Sequence, residues 1–161
     1  MNAADFPNLA FAEALERLGE MPFVLREALA GASDAHLRIR GADAGFCLVE
    51  HACHLRDLER EGYRVRLHRM LEESHPSLAG FEGDVVARER EYMAQDPHAA
   101  AHEFAAERMR FLDRARILTA GEMRRSGDFM GRSITVCDLL SMMVDHDKGH
   151  REEIAALLAA R

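Results

Sequence analysis

His146 and His150 stand four residues apart in VDHDKGHREEI, residues 144 to 154. An α-helix turns about 100° per residue, so this spacing places both imidazoles on one face with Cβ atoms roughly 5 to 6 Å apart. Neutral imidazole nitrogens held in this way are good ligands for zinc or nickel. Leu139, Met143 and Leu157 fall on the stripe that carries the pair, which aims it at the protein interior. A lone HxxxH pair also arises by accident in polar helices, where the rings merely hydrogen-bond to neighbours. A metal site therefore needs a third ligand from elsewhere.

The stretch FCLVEHACHLRDLE, residues 46 to 59, offers His51 and His54. Cys47, Leu58 and Val65 lie within about 40° of His54 around a helix, so His54 joins an apolar stripe and His51 its edge. Interior histidines on two separate long helices suit a bundle, whose metal sites are built from facing helices. Cys47 lies about 10 Å along the axis from His54 and cannot share its ion. Cys53 points roughly 100° away and reads as a small core residue. Glu153, three residues past His150, returns to the histidine face. A fourth ligand, an outer acceptor, a general base and a surface carboxylate are all open to it. Asp147 follows the first histidine where HExxH proteases carry glutamate. Its shorter arm fits that role poorly, and it is expected to orient a histidine or a loop. His36, His68, His75, His98 and His102 fall in loops or on polar faces and are expected to be solvated.

The elements that must position these residues are helical, because apolar positions recur at intervals of three and four and strand-like alternation is nearly absent. A first helix is expected from a cap at Asn8 toward Leu29, with a kink or restart at Pro22 in the first turn of its second piece. After a polar loop, SDAHLRIRGADAG, a second helix covers Phe46 to Leu71, and SHPSLAGFEG breaks it. A shorter helix, DVVAREREYM, leads to a third long one capped by Asp96 with Pro97 at its first position. SGDFMGRSIT reads as a turn or short hairpin, and Thr135 caps the last helix. Four long helices joined in this way predict an all-α four-helix bundle with short extra helices in the connections.

With 161 residues, 48% of them hydrophobic and 30% charged, the chain is expected to form one globular domain over residues 1–161. A net charge of −7 disfavours nucleic acid and anionic membrane surfaces as partners. The densest basic run, RVRLHR at 64 to 69, is flanked by acids and reads as a solvated helix face. Three cysteines without a CxxC pair indicate reduced thiols, and the lack of a membrane-length apolar run or secretion signal points to the cytoplasm. No GxSxG, glycine-rich phosphate loop or CxxC supports a hydrolase elbow, a nucleotide site or a thioredoxin-type centre.

The sequence resembles the DinB/YfiT-like superfamily of small four-helix bundles over nearly its whole length. The resemblance rests, in order, on VEHACHLRDLEREGYRVRL, FEGDVVAREREYMAQDP, FAAERMRFLDRARILT and GRSITVCDLLSMMVDHDKGHREEI. It implies a three-histidine centre for a divalent metal ion, zinc or nickel, made of His54 from the second helix with His146 and His150 from the last. His51 becomes a neighbour of the centre, and Glu153 fills a position where the family often has Gln or Glu. Many relatives carry tryptophan near the place held here by Phe46, so the pocket differs in shape. In the family dimers are common, and some relatives are metal-dependent transferases or isomerases using low-molecular-weight thiols, which implies a homodimer and a small-molecule substrate. The leading expectation is a metal-dependent enzyme that conjugates such a thiol to an electrophile, with hydrolysis behind it and Glu153 handling protons. The competing expectation is a non-catalytic, dimeric helical binding or stress-associated module, metal-free or with a structural ion.

Overall fold

Capping chemistry sets the ends of the long helices in the computed structural model, which describes residues 5–160, with side chains from residue 10 onward. Asp96 accepts from the backbone of His98 and Ala99 and Pro97 follows, starting α6 (Pro97–Arg116). Thr135 and Asp138 exchange side-chain to backbone bonds at the start of α8 (Val136–Ala159). The second long helix consists of α3 (Leu48–Asp57) and α4 (Arg64–Glu72), joined by a π-helical turn over Leu58–Tyr63. With α1 (Asp5–Ala30) these make the four long rods. The helix contains Asn8 rather than starting from it, and the Asn8 side chain lies outside the described residues.

Short elements occupy the connections: α2 (Asp34–Leu37), a 3-10 turn over Ala42–Ala44, α5 (Gly83–Glu89) and α7 (Ala120–Met123). The expected hairpin forms from β2 (Ser126–Phe129) and β3 (Arg132–Thr135), and β1 (Ser77–Leu78) adds a parallel third strand. Its two-residue turn, Met130 and Gly131, has positive φ at both positions, as the twist of a tight hairpin requires. Because β3 ends on the Thr135 cap, the hairpin fixes where α8 begins.

Two apolar clusters fill the bundle. One gathers Met21, Leu25, Leu48, Ala52, Phe104 and Leu157; the other gathers Leu18, Leu67, Met70, Phe111, Leu112, Leu139 and Met143. On the second long helix, α6 and α8 a buried polar layer separates them, and its hub is Arg108, which is wholly buried. All five guanidinium N–H groups are used: Nε and Nη2 donate to Glu59 (2.8 and 3.0 Å), Nη1 and Nη2 to Asp147 (2.7 and 3.2 Å), and Nη1 also to the Leu18 carbonyl (2.9 Å).

The Leu18 contact accounts for α1 continuing through Pro22 rather than restarting there. Proline lacks the N–H that would bond the carbonyl four residues back, which is that of Leu18. Arg108 supplies the missing donor from a neighbouring helix. The basic run at 64 to 69 is only partly a solvated face, since Arg66 is buried, donates to the Ala79 carbonyl and packs over Phe129.

Replacing Arg108 leaves Glu59 and Asp147 as unpaired buried carboxylates. Arg108→Met is expected to lower the stability of the metal-free protein by ~3–5 kcal/mol in urea unfolding. A loss under ~1 kcal/mol would show that the network does not hold the layer together.

Candidate metal centre

Three of the sequence-predicted residues converge. Ligand atoms from His54, His146 and His150 lie within 4.8 Å of one another, although His54 comes from α3 and the other two from α8. His146 and His150 bring their Nε2 atoms to 3.1 Å, close to the ~3.3 Å that two nitrogens on one tetrahedral zinc adopt. The ring centres of His54 lie 5.5 Å from His146 and 4.9 Å from His150. Among the described residues, His54 Nδ1, His146 Nδ1 and His51 Nε2 are buried without a hydrogen-bond partner, so this layer holds more polar nitrogen than the protein itself satisfies.

His51 belongs to the same nest. Its Nδ1 stands 2.8 Å from Nδ1 of His150, and its Nε2 is 3.4 Å from Oε2 of Glu153. A second set, His51, His150 and Glu153, therefore shares His150 with the first. Its 2.8 Å nitrogen separation is that of a hydrogen bond carrying one proton. Glu153 sits at the edge, 61% exposed, apart from the inner three histidines.

The positioning is local. On α8, Leu139, Met143 and Leu157 are buried on the histidine stripe as expected. On the second helix the stripe holds only as far as Leu58: Cys47 and Leu58 are buried, but Val65 is 43% exposed. The π turn intervenes, and its wider i→i+5 spacing sets everything downstream back around the axis. Asp147 orients neither a histidine nor a loop; Arg108 holds it beneath the site. Cys47 occupies the cap position of α3, its N–H bonded to Glu50, and Cys53 is a buried core residue. Of the histidines expected to be solvated, His68, His75, His98 and His102 are exposed. His75 also pairs with Ser126, and His36 is instead bonded through Nε2 to the Leu157 carbonyl at 2.8 Å.

The model of the DinB superfamily matches residues 17–154. The chain belongs to the DinB superfamily. Among solved structures, this DinB protein is similar to YfiT from Bacillus subtilis, described as a probable metal-dependent hydrolase with an unusual four-helix bundle topology. The TM-score is 0.85 at 21% identity, over 91% of this chain and 85% of that one. Comparison with curated proteins finds no significant match. The four-helix DinB-like fold expected from the sequence is thus the fold observed.

Electrostatics keep the histidines of this DinB protein in the form that ligates cations. Burial pushes His54 down to about 3, His51 to about 4 and His150 to about 2, with neighbouring imidazoles adding to the effect, and it lowers His146 as well. All four rings are neutral at physiological pH, with lone pairs available. Phe46, Phe81 and Tyr63 wall the nest, their rings lying 5.4 Å from His54, 5.8 Å from His54 and 6.1 Å from His146. A positioning residue that spacing could not reveal is Gly83: a Cβ there would come within 2.8 Å of His54 Cε1 and 2.9 Å of Nδ1. Its lack of a side chain lets the start of α5 close over that ring.

Two outcomes follow for metal-free protein. Gly83→Ala should move the His54 ring resonances in NMR spectra while helical circular dichroism stays unchanged; unmoved resonances would free Gly83 of this role. Because these histidines titrate lower folded than unfolded, the unfolded chain takes up protons first as pH falls below about 6.5. Stability is therefore full above that value and declines from pH 6.5 toward 5. The urea midpoint should track this, and His51→Gln should flatten it; a midpoint rising as pH falls would contradict the assignment.

Proposed function

We propose that this protein is a divalent-metal-dependent enzyme in which His54, His146 and His150 hold zinc or nickel, and that it transfers a low-molecular-weight thiol to a small electrophile. The observation that carries the metal assignment is the convergence of three neutral imidazoles from two helices, with the Nε2 atoms of His146 and His150 3.1 Å apart. An ion held by three histidines keeps a position open and lowers the pKa of a bound thiol or water toward neutral.

The protein's own residues supply orientation and proton handling. With its Nε2 lone pair kept free, His150 carries its proton on Nδ1 and donates it to His51 Nδ1 across 2.8 Å. His51 then carries its proton on Nε2, facing the Glu153 carboxylate at 3.4 Å. This chain fixes the tautomer and tilt of His150 from behind, as outer partners of ligating histidines do. Glu153 also borders the cleft above the histidines and is open to solvent, so it can take a proton from a group bound in the cleft and release it to water.

Thiol transfer needs room for two reactants. The cleft beside His54 and His150, about 550 Å³, is lined by Arg40, Arg88, Glu50 and Asp84, a mixed-charge wall suited to a polar, charged thiol. Water as the nucleophile would make the same centre hydrolytic, the chemistry attributed to YfiT.

Elemental analysis of protein purified without a histidine tag is expected to show one zinc or nickel per chain, lost in His54→Ala and His146→Ala. Glu153→Gln should keep the metal and lower turnover by ~100-fold in thiol-consumption assays with a model electrophile. Absence of stoichiometric metal, together with reloading unchanged in His54→Ala, would refute the enzyme reading and favour a binding module.

A further inference from the structure

Beside the polar cleft at the histidines lies a second, larger hollow of about 950 Å³ at the end of the bundle. Arg40, Gly45, Phe46 and Glu153 border both, so the two hollows adjoin as an inner and an outer arm on either side of Phe46. Ala35, Ile39, Ala42, Phe46, Ala156 and Leu157 form the apolar part of the outer arm's wall, and Ser33, His36, Arg40, Asp43 and Glu153 its polar part. The arm is a built feature: His36 Nε2 binds the Leu157 carbonyl at 2.8 Å and ties the α2 wall to the α8 wall.

We propose that this arm is the binding site for the apolar body, acyl or aromatic, of the substrate whose polar group reacts at the histidines. Adjacency to the histidine nest carries the assignment, since four residues that border the outer arm also border the cleft lined by His54 and His150. A second copy of the chain is a poorer occupant. A stable interface buries about 800 Å² on each partner around an apolar centre. Here, among the described residues, Ile39 is the one exposed large apolar residue that lines the hollow; Phe23, Val65, Met109, Ile117 and Met130 lie elsewhere. The apolar surface is a concave pocket rather than a face. The link between the arms rests on the metal reading above, whereas the pocket itself does not.

Two measurements separate them. In metal-free protein, the uncharged fluorophore N-phenyl-1-naphthylamine should bind one per chain and saturably. Affinity should fall at least tenfold in Ala156→Trp and in Ala42→Trp, two exposed positions where the added indole fills the arm and leaves the core untouched. No saturable binding, or binding indifferent to both substitutions, would overturn the pocket whatever the histidines do. Sedimentation showing a wild-type dimer that both substitutions dissociate would overturn it in favour of a second copy. In zinc-loaded protein, n-alkyl hydroxamates from two to eight carbons should tighten by up to about fourfold per methylene. That gain should vanish in Ala156→Trp while acetohydroxamate binds as before. A flat series would overturn the pairing of the two arms. Failure to load zinc at all is seen in the elemental analysis and counts against the metal reading alone.

Discussion

One buried guanidinium governs the layer in which the histidines sit. Arg108, from the middle of α6, reaches α1 through the Leu18 carbonyl, the π turn through Glu59, and α8 through Asp147. Such networks contribute little net stability over a well-packed apolar core, because desolvating the charges offsets most of their attraction. What this one supplies is register. A planar fork with five directed donors accepts one arrangement of partners, whereas apolar clusters above and below tolerate sliding and rotation. Asp147 lies between His146 and His150, so fixing its carboxylate fixes the rotation of α8 at the turn where both imidazoles leave the helix.

The same layer concentrates unsatisfied polarity. His150 uses both ring nitrogens, one toward His146 and one toward His51, and three further nitrogens in the nest are buried without partners. Each neutral histidine has one N–H and one lone pair, but packed at ring separations of 4.4–4.9 Å these rings do not aim all of them at one another. A cation held by His54, His146 and His150 would take up the Nε2 lone pairs that His146 and His150 bring to 3.1 Å of each other. Beneath them, Asp147 favours positive charge at His146 while the Arg108 and Arg66 guanidiniums oppose it.

Features written in local chemistry were legible in the sequence. The Asp96 and Thr135 caps, Pro97, the hairpin and the HxxxH stripe each depend on residues within a few positions, and the structure has them where the spacing put them. The partnership of His54 with the pair on α8 was readable through the family resemblance, and the structure brings these rings together. What escaped depended on distant partners. Pro22 reads as a break until Arg108 is found bonded to the carbonyl it deprives, and Asp147 reads as a loop or histidine anchor until the same arginine claims it. The π turn escaped because periodicity assumes uniform winding. Its mark is Gly62, where a Cβ would lie 2.7 Å from Leu58 Cδ1. Gly83 likewise acquires meaning only once α5 is seen to rest on His54.

These parts divide between rigid and variable elements. The histidines and the network beneath them sit on long helices held by two cores, and small displacements there would pull ligand atoms apart. The two adjoining hollows are enclosed largely by connections: the segment from Gly31 to Gly45, the start of α5 and the last turns of α8. Surface connections tolerate substitution and changes of length far better than packed helices. A bundle constructed this way keeps its centre fixed while the walls around it change, which is why membership in the superfamily specifies the scaffold and leaves the substrate to residues such as Arg40, Phe46 and Ala156. The place of Phe46 follows directly. Its ring touches the histidine nest and borders both hollows, so a change there alters access to the centre without altering the centre itself.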